Sequence, residues 1–284
     1  MKIGAMLESF RLGFEGGVQK AAEIGIQGLQ MYATNNEFGP DNVTDEKLKY
    51  ALDYVKSHGL VFSAICGDFG KGFTDPESNK IYVEKSKRVL DIAKKLECNV
   101  VTTHIGHVPE EENETKEIMR KACRELALYA DSIGSAFAVE TGPETGKVLG
   151  EFLDSLGAGG VRVNFDPANL AMCIDERPEN ALKYLGKYVV HTHAKDGFMI
   201  CGKKILQFRN TLPDEYWLTL PQWRGWLEVP LGMGDVNYDT YLPALHDAGY
   251  DGFLTIEREC GETPEKDIIM AKEFLAKELE KFGY

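Results

Sequence analysis

The chain has 284 residues, with 32 Lys and Arg against 45 Asp and Glu and a formal net charge of −13. Hydrophobic residues make up 43% and charged residues 27%, an ordinary globular balance, and the length suits one barrel domain of ~250 residues; the acidity disfavours nucleic-acid partners, because like charge repels a phosphate backbone. The longest apolar runs are strand-length, short of the ~20 residues of a bilayer span, and with no basic-then-apolar start after Met1 and six cysteines lacking any close-spaced pair, a cytoplasmic protein with reduced thiols and no membrane partner is expected.

Strand-like runs alternate with helical periods from end to end. Lys2–Leu7 reads as a strand and Phe14–Ile24 as an amphipathic helix; Gly28–Tyr32 is the second strand, followed by a helix over Asp45–His58 that stops at Gly59. Leu60–Cys66, Asn99–His104, Ala136–Glu140 and Val161–Asp166 are the next four strands, with helices over Ser78–Leu96, Glu114–Ile133 and Thr145–Leu156 between them. A helix over Pro178–Leu185, strands at Tyr188–His193 and Phe253–Glu257, and a closing helix over Pro264–Phe282 complete the series. Each return to a parallel neighbour needs a helical crossover, so the alternation predicts a parallel sheet with both faces covered. Eight units of about 35 residues suit a closed (β/α)8 TIM barrel, in a single domain spanning 1–284, with an open doubly wound sheet as the competitor.

One unit is too long. The seventh and eighth strands start 65 residues apart, and the surplus, Gly197–Asn237, holds Trp217, Trp223 and Trp226, every tryptophan of the chain. A long aromatic loop suits a lid over a site or an interface in a homo-oligomer. Arg209, Arg224, Lys203 and Lys204 in it are candidates to meet a phosphate.

Active sites of barrels sit at the C-terminal ends of the strands. The fifth to eighth strands end in Glu140, Asp166, His193 and Glu257. Three carboxylates converging without a cation raise one another's pKa and destabilise the site; a divalent metal removes that penalty. Three oxygen donors and one imidazole suit Mn2+, Mg2+ or Co2+, with Zn2+ also admissible.

With these motifs in view, the chain resembles the sugar phosphate isomerase/epimerase group of xylose-isomerase-like TIM barrels, which includes ketose 3-epimerases and endonuclease IV. The resemblance rests on KIGAM, VETG, NFDPAN, HTHAKD and PLGMGDVNYDTYLPALHDAGYDGFLTIERE. It implies that Glu140, Asp166, His193 and Glu257 are metal ligands and that Glu140 and Glu257 are also the acid/base pair. The chemistry fits, because a metal acts as a Lewis acid for an enediolate while one carboxylate removes the proton alpha to the carbonyl and the other returns it. The implied activity is a metal-dependent isomerase or epimerase of a small sugar or keto-sugar. Alternatives on the same site are a keto-sugar or inosose lyase or dehydratase, an endonuclease-IV-like repair enzyme, or a sugar-binding subunit without catalysis.

The chain departs from the ketose 3-epimerase pattern in having Asn169 three residues after the sixth-strand aspartate, and Ala194, Lys195 and Asp196 after the seventh-strand histidine. These changes alter what reads the substrate hydroxyls. Its six histidines cannot complete the larger histidine-rich set of the endonuclease branch. His104, Asn169, Glu8 and Glu144 are the candidate substrate-binding residues; a salt bridge to Arg11 is the competing use of Glu8, and a helix N-terminal charge that of Glu144. His191, two residues before His193, is expected to be a satisfied histidine of the layer beneath.

Overall fold

The computed structural model describes residues 1–200 and 225–284. Eight parallel strands close on themselves: β1 (Lys2–Met6), β2 (Gly28–Tyr32), β3 (Val61–Cys66), β4 (Val100–Thr103), β5 (Ala136–Glu140), β6 (Val161–Phe165), β7 (Val189–Ala194) and β10 (Phe253–Ile256), in the order β1-β10-β7-β6-β5-β4-β3-β2. The structure is a (β/α)8 TIM barrel, and the open sheet is excluded. Between the strands run α1 (Gly13–Glu23), α2 (Asp45–Ser57), α3 (Pro76–Lys95), α4 (Glu114–Ser132), α5 (Gly146–Ser155), α6 (Pro167–Ile174), α7 (Pro178–Leu185) and α8 (Tyr238–Asp247), and α9 (Pro264–Phe282) closes the chain.

Local chemistry fixes these boundaries. Side chains of Thr44, Asp75, Asn113 and Thr145 accept hydrogen bonds from the first-turn N–H groups of α2, α3, α4 and α5, satisfying donors that have no partner within the helix. The buried faces of the helices pack on the barrel wall in one continuous apolar core running from Ile3 to Leu279. No helix among the described residues is long and apolar enough to cross a membrane.

Two elements differ from the sequence reading. Pro167–Ile174 forms α6, an unexpected helix. The ends of the long loop are paired: β8 (Asp196–Met199) runs antiparallel to β9 (Trp226–Val229), with Phe198, Leu227 and Val229 in a small apolar cluster of their own. Residues 201–224 of that loop, including Trp217, Trp223, Arg209, Arg224, Lys203 and Lys204, lie outside the described residues, and the lid and interface expectations lie there with them. The hairpin is held at its base by Asp196. Its Oδ1 accepts from the N–H groups of Gly197 (2.9 Å) and Val236 (3.1 Å), and its Oδ2 from those of Gly232 (3.0 Å) and Gly234 (2.8 Å). A side chain at position 234 would collide with that carboxylate, which is why glycine stands there.

Candidate active site

Four neighbouring barrel strands bring one ligand atom each to the same point. Glu140 ends β5, Asp166 follows β6, His193 lies near the end of β7 and Glu257 follows β10; their ligand atoms all lie within 4.8 Å of one another. All four are buried, Asp166 at 0% exposure and each glutamate at 8%. His193 Nδ1 stands 3.5 Å from Glu140 Oε1, 3.5 Å from Asp166 Oδ2 and 3.3 Å from Glu257 Oε2.

Asp166 divides its oxygens between two tasks. Oδ1 accepts from the N–H groups of Ala168 (2.8 Å) and Asn169 (3.1 Å), capping α6. Oδ2 is left turned to the cluster without a hydrogen-bond partner, as is His193 Nδ1. Thr141 ties the residue down from the β5 side: its Oγ1 accepts from Asp166 N and donates to Asp166 O, both at 2.8 Å. Two unpartnered buried polar atoms inside a ring of carboxylates are costly unless positive charge joins them. The electrostatics agree. Burial alone would push the His193 pKa down, yet Glu257 and Glu140 hold it well above its ordinary value. Three carboxylates and an imidazole therefore form a donor set that could bind a divalent metal.

Over the cluster opens a cavity of about 230 Å³. Glu140 and Glu257 line it, whereas Asp166 and His193 do not. His104 and Asn169 also line it. Asn169 Nδ2 donates to Glu140 Oε1 at 2.9 Å, and His104 Nδ1 pairs with Asp68 Oδ2 at 2.9 Å while its Nε2 stands 3.7 Å from Glu140 Oε1. The carboxylates of Glu140 and Asp68 hold the His104 imidazole up, at about 9.

Glu8 and Glu144 stand outside this cavity. Glu8 sits in the turn after β1, accepts from Tyr32 N at 2.9 Å, and lines an adjoining cavity that shares Tyr32, Glu257 and Glu259 with the first. The Arg11 guanidinium donates to the carbonyls of Gly261 and Glu259, both at 3.0 Å, and only the Arg11 backbone N–H donates to Glu8, at its carbonyl (3.1 Å), in place of the expected salt bridge. Glu144 is buried and accepts from Val108 N at 3.2 Å, joining the loop after β5 to the loop after β4.

Three more residues belong to the site: Lys195, which the sequence marks as a departure after His193, and Gln30 and Asp68, which carried no signal. Lys195 is buried and lines the cavity, with Nζ 2.8 Å from Glu257 Oε2 and 2.7 Å from Glu259 Oε2. Strand alternation gives it the same facing as His193. Burial disfavours its charge, but Glu257 and Asp166 hold its pKa well above the ordinary lysine value. Asp68 and Gln30 reach the cavity from the loop after β3 and from β2, with no motif around either. His191 is satisfied in the layer beneath, its Nδ1 2.8 Å from Asn164 Oδ1 and its Nε2 2.9 Å from Thr255 Oγ1.

Residues 18–278 match the family described as xylose isomerase-like TIM barrel. The chain belongs to that family. Among solved members of this fold, a xylose isomerase domain protein from Planctomyces limnophilus is 26% identical, with a TM-score of 0.78 over 99% of this chain and 97% of that one. A probable 3-DHS dehydratase, AsbF, of Bacillus anthracis is 20% identical, with a TM-score of 0.74 over 97% and 99% of the two chains. The D-psicose 3-epimerase of Clostridium cellulolyticum H10, solved with D-tagatose, is 16% identical, with a TM-score of 0.72 over 98% and 99%. At those identities the last two show the shared barrel. Sugar 3-epimerases and a dehydratase thus stand among the structural neighbours of this xylose isomerase-like barrel.

Proposed function

We propose that the protein is a divalent-metal-dependent isomerase or epimerase of a small sugar or keto-sugar, with Mn2+ the cation best suited to its donors. The observation that carries this reading is the convergence of Glu140, Asp166, His193 and Glu257 on one point, with only the two glutamates facing the cavity. A cation held there supplies a Lewis acid to the negative charge that develops on the sugar oxygens. Glu140 and Glu257 stand at the boundary between that charge and the substrate carbon. One removes the proton alpha to the carbonyl and the other returns it. Asp166 and His193, shielded beneath, hold position and charge. His104 and Asn169, which meet Glu140 from the cavity wall, bind substrate hydroxyls.

Deuterium uptake from D2O into a panel of ketoses and aldoses, with Mn2+ added, tests the proposal. Exchange alpha to the carbonyl that stops on chelation and returns with Mn2+ is the expected result. A cation bound with no exchange into any sugar overturns catalysis and leaves a sugar-binding barrel.

Lys195 favours a second reading. Its ammonium group faces the cavity beside Glu257 and supplies a donor to a departing hydroxyl, so the same proton abstraction would end in elimination of water. A dehydratase or lyase of this kind would yield an unsaturated carbonyl product in the same assay.

A further inference from the structure

We propose that Gln30 is a positioning residue that sets which nitrogen of His193 is offered to the cation, through a fixed chain of buried polar groups running across the barrel floor. The inference rests on the metal-site reading above. Gln30 lies on β2, across the barrel from β7, and at 0% exposure has no solvent to turn to. Its Nε2 donates to Thr102 Oγ1 at 3.1 Å, and its Oε1 faces His193. That oxygen lies 3.0 Å from His193 Nε2 and can only accept. In the neutral ring that a cation requires, His193 Nε2 therefore carries the hydrogen and Nδ1 keeps its lone pair, aimed at Glu140, Asp166 and Glu257.

Asn164 completes the arrangement from the other side. His191 Nδ1 stands 2.8 Å from Asn164 Oδ1, so the amide Nδ2 faces Glu140 Oε2 and His193 Nε2, each at 3.3 Å. An N–H pointing at His193 Nε2 gives the ring no acceptor. Of its two neighbours, only Gln30 can take the ring hydrogen. A histidine whose second nitrogen is held in this way binds metal in one orientation and with greater basicity, and losing such a partner typically costs ~10–100-fold in metal affinity.

The test measures Mn2+ affinity by chelator competition in wild-type protein and in Gln30→Leu, Gln30→Glu and Thr102→Val, with the melting temperature of each metal-free protein as a check on folding. Gln30→Leu should bind Mn2+ ~10–100-fold more weakly. Gln30→Glu keeps an oxygen acceptor and should bind within about threefold of wild type, and Thr102→Val, which frees the Gln30 amide to turn, should fall between. In the diamagnetic Zn2+ form, nitrogen-15 NMR should place the His193 hydrogen on Nε2. Gln30→Leu and Gln30→Glu losing affinity alike would reduce Gln30 to a packing residue and overturn the proposal, as would wild-type affinity in Gln30→Leu or a hydrogen on Nδ1. If Gln30→Leu does not fold, Thr102→Val with unchanged affinity overturns it. Wild-type protein that binds no divalent cation overturns the metal reading itself, a result distinct from a cation bound equally by every variant.

Discussion

Under the proposed function, Glu140 and Glu257, which line the cavity, both hold charge and move a proton, whereas Asp166, buried and outside the lining, supplies only charge. Amide substitutions separate the tasks. Glu140→Gln and Glu257→Gln keep a carbonyl oxygen for coordination but lose the base, so each should retain measurable Mn2+ while deuterium exchange falls by ~10²–10⁴-fold. Asp166→Asn should behave in the opposite order. Its amide can still cap α6 through an oxygen, leaving the fold intact, but an NH2 replaces the Oδ2 that faces the cluster. Metal should weaken first, and excess cation should recover part of the activity. Metal titration beside exchange rates distinguishes the two patterns; wild-type exchange in both Gln variants would remove the glutamates from the mechanism. The four cluster residues were legible because each ends a strand and strand ends meet in a barrel. Gln30 was not, since it meets His193 from across the barrel, and neither were the pairings of Asp68 with His104 and of Lys195 with Glu257, which join the ends of neighbouring strands far apart in sequence.

At the scale of elements, two buried carboxylates act as fasteners between segments. Asp196 gathers four backbone N–H groups at the root of the β8–β9 hairpin. Asp196→Asn turns an NH2 toward two of them, and two unpaired buried donors should cost about 2–5 kcal/mol in chemical denaturation. Glu144 links the loops after β4 and β5, and burial pushes its carboxyl from 4.5 up to about 7. Between those values the folded chain keeps a proton that the unfolded chain has released. Its contribution to stability is therefore full below pH 4.5 and lost as the pH rises through about 7. Glu144→Gln, neutral throughout, should match wild type in acid and exceed it above that window by on the order of 1–3 kcal/mol, read from denaturation curves on both sides. The eight barrel strands and their long amphipathic helices were readable from period and caps. α6 was not: Pro167, Ala168, Leu170, Ala171 and Met172 are all buried, so this helix shows no polar face and no helical period. The hairpin was hidden for another reason, because its strands are four residues each and their partners lie far apart in sequence.

For the molecule as a whole, the repeat of strand and helix made the closed barrel readable, and closure then makes a floor as well as a mouth. Gln30, Asn164, His191 and Thr255 fill that floor at 0–1% exposure, hydrogen-bonded to one another or to the cluster above. Among the described residues, Glu140 and Glu257 stand between Asp166 and His193 and the cavity that a sugar would occupy. Under the proposed function, a cation that enters by this cavity binds first, and a sugar seated behind it bars that exit. Saturating sugar should therefore slow the stripping of Mn2+ by chelator in stopped-flow, with the release rate falling as sugar rises. A release rate indifferent to sugar would mean that the ion has a path of its own.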